Sequence, residues 1–232
     1  MDILSNIKNE IIVSIQAMPN EPLYNVVCIN GMAKSIVELG GANVLRLAGA
    51  RDINNIKTLY PNVIVIGITK PEIIPDNYKE IVYITPTVSD CKKVIDAGAD
   101  IVAFDGTTRK RLNGEYLVDL IRYIKSQGKL AMADIATFEE AQIAVELGVD
   151  IVSTTLSGYT IETQNNPDVP DFELVKKIKQ NLDIFTILEG KIWEKKDITL
   201  AFKAGADAVV VGSAITRPQL IFKRLNEGKT NE

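Results

Sequence analysis

A set of polar residues follows the predicted strands of this 232-residue chain, and their types could perform proton transfer and anion binding. Lys70 and Glu189 supply an amine and a carboxylate, which are groups that remove or return a proton at carbon. The sequence contains no histidine, so His-based triads, His metal sites and the usual general base are excluded. Proton chemistry near neutral pH must therefore use Asp, Glu, Lys, Tyr or Cys.

Further polar residues at the same predicted strand ends extend this set. They are Gln16, Arg46, Asp105, Asp134, Thr154 and Thr155. Any parallel barrel carries isolated polar residues at its strand ends, where active sites of such barrels lie. A lysine, an arginine, a glutamate and two aspartates at one rim exceed what packing requires, so we interpret them as a catalytic cluster.

Two glycine-containing loops after the last two predicted strands are typical of a phosphate site. The first contains Gly190 and Lys191, and the second contains Gly212, Ser213 and Arg217. Glycines let backbone N–H groups approach an anion, and a helix starting near Ser213 would direct its positive end towards it. The alternative is that Gly212-Ser213 forms only a tight turn and that Arg217 is solvated.

Lys70 and Glu189 end the third and seventh of eight predicted strands, so in a closed ring they face each other across the mouth. A carbon between them could lose a proton on one face and regain one on the other, which inverts it. As a base Lys70 must be neutral, and burial together with Arg46 would lower its pKa from about 10.4 towards 7. Glu189 needs no such shift but is a weaker base, and the order of transfers stays open. The competing interpretation is an exposed loop lysine and a structural ion pair of Glu189.

Four copies of a Gly-small-Asp/Asn pattern indicate the elements that must position these residues. They begin at Gly41, Gly98, Gly148 and Gly205, which are 57, 50 and 57 residues apart. Each glycine follows a helix-like segment, where a left-handed conformation suits it, and precedes a strand that is apolar on both faces, as in parallel sheets.

Eight predicted strands alternate with helices along the chain. The strands are 11–17, 43–48, 63–69, 101–105, 130–135, 151–155, 185–189 and 208–212, and the helices are 32–39, 53–59, 89–96, 115–126, 138–147, 172–180, 198–203 and 218–225. Eight βα units in this length predict one (β/α)8 TIM barrel domain over residues 1–232. An open doubly wound sheet is the alternative.

Composition supports a large core and excludes several partner classes. The chain is 46% apolar and 24% charged with a net charge of −4, which gives no indication of nucleic-acid binding. It lacks an apolar run of the roughly 20 residues that span a membrane and starts without signal-peptide features. Cys28 and Cys91 are isolated thiols without metal-ligand spacing, so we expect a cytoplasmic protein without a disulfide.

Two further loops carry polar residues that could contact a substrate. The basic loop 106–111 after the fourth strand could gather anionic substrates or be solvated. The hydroxyl-rich loop 153–159, with the polar stretch up to Pro170, is a candidate lid that suits a sugar.

Several segments resemble one family nearly from end to end. They are IIVSIQAMPNEPL (11–23), VIGITK (65–70), YITPT (83–87), TRKRLNGE (108–115), LAMADIATFEEA (130–141), VSTTLSGYT (152–160), LEGKI (188–192) and VVVGSAITRPQ (209–219). They are similar to the N-acetylmannosamine-6-phosphate 2-epimerases, and STTLSGYT together with GSAITRP is the most specific part. The resemblance implies a (β/α)8 barrel that converts N-acetylmannosamine 6-phosphate to N-acetylglucosamine 6-phosphate in sialic acid breakdown.

The resemblance also implies roles for the residues above. It assigns catalysis to Lys70 and Glu189, substrate binding to Gln16, Arg46 and Asp134, and phosphate binding to Gly190, Lys191, Gly212, Ser213 and Arg217. It implies a sugar-phosphate substrate, no metal or organic cofactor, and pairing into a homodimer. The chain departs from the family pattern at Lys191, where arginine is common, and at Ser213, where glycine is common. The alternatives are another phosphate-binding barrel enzyme, such as an aldolase or a sugar-phosphate isomerase, and a non-catalytic barrel that binds a sugar phosphate.

Overall fold

A computed structural model describes residues 2–111 and 114–228 and shows a closed barrel of eight parallel strands. The strands are β1 Ile11–Ile15, β2 Val44–Ala48, β3 Ile64–Ile68, β4 Ile101–Asp105, β5 Leu130–Asp134, β6 Ile151–Ser153, β7 Phe185–Glu189 and β8 Ala208–Val211. Each strand pairs with the next, and β8 pairs with β1. The predicted (β/α)8 barrel is confirmed, and the open doubly wound sheet is wrong. Two residues of the quoted segment TRKRLNGE, Leu112 and Asn113, lie outside the described residues.

One helix precedes β1, and the others lie between the strands or after β8. They are α1 Ile3–Ile7, α2 Val26–Lys34, α3 Ala50–Leu59, α4 Val88–Asp96, α5 Leu117–Ser126, α6 Phe138–Glu146, α7 Phe172–Asn181, α8 Lys195–Ala204, α9 Ser213–Thr216 and α10 Pro218–Glu227. A π-helical turn, Ser35–Leu39, extends α2, and a 3-10 helix, Thr154–Leu156, follows β6. Within the described ranges, none of the helices has the length and apolar character needed to cross a membrane.

Several predicted element ends differ from the structure, and local hydrogen bonds explain two of these differences. The helix predicted to begin at residue 32 begins at Val26, because the side chain of Asn25 accepts the Cys28 N–H at 2.8 Å and caps it. The strand predicted to continue to residue 155 ends at Ser153. The 3-10 helix that replaces its end turns two threonine hydroxyls towards the barrel mouth, which is the C-terminal end of the strands.

The four glycines of the repeated pattern adopt the predicted left-handed conformation. Their φ angles are 76° at Gly41, 106° at Gly98, 89° at Gly148 and 101° at Gly205. An L-residue with a side chain rarely adopts such angles, which explains why glycine ends these helix–strand turns.

Three aspartates that follow these glycines clamp neighbouring strands together at the face opposite the mouth. Each accepts the N–H of a residue in the preceding strand and the ammonium of a lysine on the helix leading into that strand. The sets are Asp100 with Val65 and Lys57, Asp150 with Ala131 and Lys125, and Asp207 with Thr186 and Lys179, at 2.8 to 3.0 Å. At three of its four copies, the repeated sequence pattern therefore corresponds to the same clamp, which joins β3 to β4, β5 to β6, and β7 to β8.

The barrel interior places polar side chains above an apolar layer. Val44, Met132 and Ile187 belong to a buried apolar cluster inside the barrel. Side chains alternate along a strand, so the residue two positions further on each strand points the same way, towards the mouth. Those residues are Arg46, Asp134 and Glu189.

Replacing Asp207 with alanine tests the clamp. The variant leaves the Thr186 N–H without its acceptor and the Lys179 ammonium without its carboxylate, so we expect the free energy of unfolding to fall by about 1–3 kcal/mol. Urea denaturation measures it. Asp183→Ala, at an exposed aspartate before β7, is the control and should stay within about 0.5 kcal/mol of the wild type. An Asp207 variant as stable as this control would contradict the clamp.

Candidate active site

A buried guanidinium lies at the centre of the barrel mouth. Arg46 Nη2 donates to Asp134 Oδ2 at 2.6 Å, and Nη1 donates to Asp134 Oδ1 at 3.1 Å and to Glu189 Oε2 at 2.6 Å. The side chains of Arg46 and Asp134 are 1% and 0% exposed. Burial lowers the pKa of Arg46, but the charges of Asp134 and Glu189 outweigh it and the net pKa is raised. Arg46 is therefore a permanent cation that links β2 to β5 and β7.

Two threonines of the 3-10 helix fix the carboxylates around Arg46. Thr155 Oγ1 lies 2.7 Å from Asp134 Oδ1 and 3.1 Å from Glu189 Oε2, within donating distance of both. Thr154 Oγ1 donates to the Glu189 carbonyl at 3.0 Å and accepts the Glu189 N–H at 3.1 Å. The sequence pattern predicted that both threonines lie at the rim. It did not predict that Thr155 contacts the Glu189 side chain while Thr154 binds the Glu189 backbone.

Lys70 follows β3 and points into the same mouth. Its Nζ donates to Gln16 Oε1 at 2.8 Å, and Gln16 Nε2 donates to Ser14 Oγ at 2.8 Å, which orients the amide. Burial lowers the pKa of Lys70 to about 8, and the charge of Arg46 acts in the same direction. The predicted shift of this amine towards neutrality is therefore present, with the predicted causes.

Glu189 and Lys70 lie in each other's electrostatic field. Burial raises the pKa of Glu189, Asp134 raises it further, and Arg46 and Lys70 oppose the rise. The Glu189 charge in turn opposes the lowered pKa of Lys70. The amine and the carboxylate thus face one mouth, as an acid–base pair requires.

The predicted phosphate residues lie in the loops after β7 and β8, where both cations already have protein acceptors. Lys191 Nζ donates to the Pro167 carbonyl at 2.8 Å. Arg217 Nη2 donates to the Gln16 carbonyl at 3.1 Å and to Glu21 Oε2 at 3.2 Å. The other three residues occupy the turns themselves. They are Gly190 at φ 110°, Gly212, and Ser213 at the start of the four-residue α9.

The basic loop 106–111 has neither of the two predicted roles at its arginines. Arg109 forms an ion pair with Asp105 at 2.6 Å and donates to backbone carbonyls of the connection between β3 and α4. Arg111 donates to the Asp105 and Pro86 carbonyls. Both arginines are largely buried and paired with protein, because their side chains turn inwards over β4.

The two cysteines are further side chains that could perform chemistry. Cys28 is half-buried and Cys91 is buried, and both are free thiols. Burial raises the pKa of Cys91 to about 12. Across residues 2–111 and 114–228, His, Cys, Asp and Glu form no group of three or more that could hold a metal ion.

Comparisons with known proteins agree on one family. A family model described as "Putative N-acetylmannosamine-6-phosphate epimerase" matches residues 29–231. A "Putative N-acetylmannosamine-6-phosphate 2-epimerase" of Clostridioides difficile (strain 630) is 44% identical over 222 residues, which cover 95% of this chain and 96% of that protein. A protein of the same name from Caldanaerobacter subterraneus subsp. tengcongensis is 42% identical over 226 residues, covering 97% and 92%. The solved structure of the N-acetylmannosamine-6-phosphate 2-epimerase from Clostridium perfringens matches with a TM-score of 0.90 and 40% identity, covering 98% of this chain and 96% of that chain.

Replacing Arg46 with methionine tests the buried ion pairs. The variant leaves two buried carboxylates without their cation, so we expect the free energy of unfolding to fall by about 3–5 kcal/mol at pH 8. Loss of the guanidinium raises the folded pKa of Glu189 further above its unfolded value of about 4.3. The penalty is therefore full above the folded pKa and shrinks as the pH falls towards 4.3.

Denaturation at pH 8 and pH 5 measures both effects. Arg122→Met removes an exposed arginine that pairs with Asp119 at 3.7 Å, and this control should cost about 0–1 kcal/mol. A penalty at Arg46 that does not shrink on acidification would show that the carboxylates do not cause it.

Proposed function

Because this chain belongs to the N-acetylmannosamine-6-phosphate epimerase family, we propose that it is an isomerase that inverts C2 of N-acetylmannosamine 6-phosphate to give N-acetylglucosamine 6-phosphate. This activity is that of an N-acylglucosamine-6-phosphate 2-epimerase, in amino-sugar and sialic acid breakdown in the cytoplasm. The observation that carries the proposal is the amine of Lys70 and the carboxylate of Glu189 at one mouth, with their pKa values shifted towards each other.

The chemistry follows from the substrate's own structure. In the open-chain sugar, C2 lies beside the C1 aldehyde, so removal of its proton gives an enolate whose charge spreads onto the carbonyl oxygen. Return of a proton to the opposite face inverts C2, and no atom is gained or lost. A base with a pKa near the working pH is most effective in such a step, and Lys70 has that property in this site.

The two groups exchange roles with the direction of reaction. A group that removes the proton in one direction must return it in the other, because the reaction is reversible. The lowered pKa of Lys70 favours its neutral form, and the raised pKa of Glu189 favours its protonated form. Either group can therefore act as acid or base on its own face of the sugar.

The Nε–H of Arg46 is a hydrogen-bond donor that a substrate oxygen could accept. This Nε–H is buried and has no acceptor among the residues that the structure describes, although both terminal nitrogens are paired. An unsatisfied buried donor costs about 1–3 kcal/mol, so a substrate oxygen that accepts this hydrogen bond would recover that energy. We assign it to an oxygen beside C2, where it would stabilise the developing enolate.

We place the phosphate against the two glycine turns. Backbone N–H groups at Gly190, Gly212 and Ser213 can bind an anion whatever the side chain. Lys191 and Arg217 lie beside these turns and would add charge to the site. Gln16 supports this arrangement, because its side chain accepts from Lys70 and its carbonyl accepts from Arg217.

Lys70→Met and Glu189→Gln test the assigned pair. We expect the wild type to incorporate deuterium at C2 when N-acetylmannosamine 6-phosphate is incubated in deuterated water. Each variant should lose at least two orders of magnitude in turnover, because each removes one proton-transfer group while leaving the fold and phosphate turns intact. NMR follows label and product.

Matched controls and contrary outcomes complete this test. Lys110→Met and Glu146→Gln change the same residue types at exposed positions and should keep wild-type turnover. Wild-type protein that gives neither label nor product at high enzyme concentration would refute the epimerase. Turnover in both active-site variants would refute their roles, and a borohydride-trapped adduct on Lys70 would instead favour an aldolase.

We also propose that two copies pair through α10. Phe222 and Leu225 of this helix are 70% and 73% exposed, and no residue of α10 is buried. Arg224 lies 4.9 Å over the Trp193 ring, which holds α10 beside the start of α8. In a (β/α)8 barrel a last helix covers the seam between the final and first strands, and here α10 does not bury itself there.

A groove beside β1 is complementary to this helix. Its volume is about 820 Å³, and apolar side chains of α2, β1 and α9 line it, including Met32, Val13 and Ile215. A ten-residue helix is about 15 Å long and carries its apolar side chains on one face. We therefore assign the groove to α10 of a second copy.

Phe222→Asp combined with Leu225→Asp tests the pairing. We expect light scattering to give twice 25.5 kDa for the wild type and 25.5 kDa for the double variant, because two charges cannot enter an apolar groove. Lys223→Asp, on the same helix, should leave the mass unchanged. A monomeric wild type at about 100 μM would overturn the pairing.

A further inference from the structure

The connection between β3 and α4, residues 69–87, starts beside the proposed active-site amine. We call it the Lys70 loop. We infer that Arg109, which lies on the neighbouring β4 loop, is a positioning residue that holds the Lys70 loop over the barrel mouth. This inference rests on the proposed epimerase function, because the loop is argued to affect catalysis through the pKa of Lys70.

The guanidinium of Arg109 joins the barrel to this loop. Nη2 donates to Asp105 Oδ2 at 2.6 Å, and Nε donates to Thr107 Oγ1 at 3.0 Å. Nη1 donates to two consecutive loop carbonyls, of Lys79 at 2.9 Å and Tyr78 at 3.2 Å. One planar group therefore connects the end of β4 with the middle of the Lys70 loop.

The barrel end of this connection is rigid. Asp105 is the last residue of β4, is fully buried, and pairs in register with Asp134 of β5. Its Oδ1 accepts from the Thr107 N–H at 3.0 Å and from the Thr107 hydroxyl at 2.6 Å. Arg109 is thus anchored to the strand layer that carries the proposed active site.

The loop end of the connection reaches further across the mouth. The Lys79 carbonyl, which accepts from Arg109, also accepts the Ile161 N–H of the segment after β6 at 3.2 Å. Tyr78, the other residue whose carbonyl Arg109 binds, packs edge to face on Tyr83, with ring centroids 6.4 Å apart. The position of Arg109 therefore sets the position of the Lys70 loop and of the segment after β6.

A substrate-binding role fits Arg109 less well. All three of its nitrogens already donate to protein acceptors, and its side chain is 8% exposed. Binding a phosphate would require it to leave the buried carboxylate of Asp105, which would then be unpaired at a large cost. The forked guanidinium is suited to holding a carboxylate and two carbonyls together, which a lysine ammonium cannot reproduce.

The consequence for catalysis concerns the environment of Lys70, which is half-buried at the start of this loop. Its ammonium is faced by the side chains of Gln16 on β1, Arg46 on β2, Asp134 on β5, Glu189 on β7, and Arg217 between α9 and α10. Burial is the largest cause that lowers its pKa. A Lys70 loop that lifts away would admit water, weaken that cause, and move the pKa back towards its ordinary value.

Arg109→Lys and Asp105→Asn test the inference. Arg109→Lys keeps the positive charge but loses the branched guanidinium that binds several acceptors at once. Asp105→Asn keeps the side-chain shape but loses the negative charge that holds Arg109. For each we expect kcat to fall about 10- to 100-fold and the acidic limb of the pH profile of kcat/KM to move up from about 8 by at least half a unit. We also expect faster amide hydrogen exchange in residues 71–82. Lys110→Met, exposed on the same loop, is the control and should match the wild type.

The outcomes separate this inference from the proposed function. Wild-type protein without epimerase activity refutes the function itself. If the wild type is active and both variants keep its acidic pH limb and its rate of loop exchange, the positioning role is overturned even when kcat falls. A general loss of stability would lower kcat without moving that limb. If Arg109→Lys does not fold, the same readouts on Asp105→Asn decide the question, and failure of both to fold overturns the inference in favour of a purely structural pair.

Discussion

The guanidinium of Arg46, held between Asp134 and Glu189, is the interaction on which the proposed site depends. Two carboxylates in a dry layer cannot both stay ionised without a nearby cation, and Arg46 supplies it. The same charge lowers the pKa of Lys70. With Lys70 protonated, the layer holds two cations and two anions. When Lys70 is neutral, the layer holds one cation and two anions, and this excess negative charge favours protonation of Glu189.

The closed barrel is what brings these groups together. Arg46, Asp134 and Glu189 come from β2, β5 and β7, which are far apart in the chain and adjacent only across the barrel axis. Backbone hydrogen bonds between neighbouring strands set their register, and the aspartate clamps at the face opposite the mouth connect the strands in pairs. The clamps and the Arg46 ion pairs therefore hold the strands together at opposite ends of the barrel.

The sequence predicted the features that depend on backbone periodicity and glycine conformation. The eight strands, the left-handed glycines and the location of Lys70 and Glu189 at one rim all follow from such local signals. It did not predict features that depend on which of several partners a side chain reaches. The sequence of the basic loop does not show whether Arg109 and Arg111 face solvent or fold inwards. The aspartate clamps depend on the register between neighbouring strands, which the repeated glycine pattern does not specify.

The two cations beside the glycine turns differ in how readily a phosphate could recruit them. Lys191 donates to a neutral carbonyl, so a phosphate oxygen in its place would add the attraction between opposite charges. Arg217 already has a carboxylate partner, Glu21, so an incoming phosphate would replace one anion by another. The exchange at Lys191 is therefore the more favourable of the two. Because Pro167 belongs to the segment after β6, recruitment of Lys191 would also remove one of the hydrogen bonds that hold that segment.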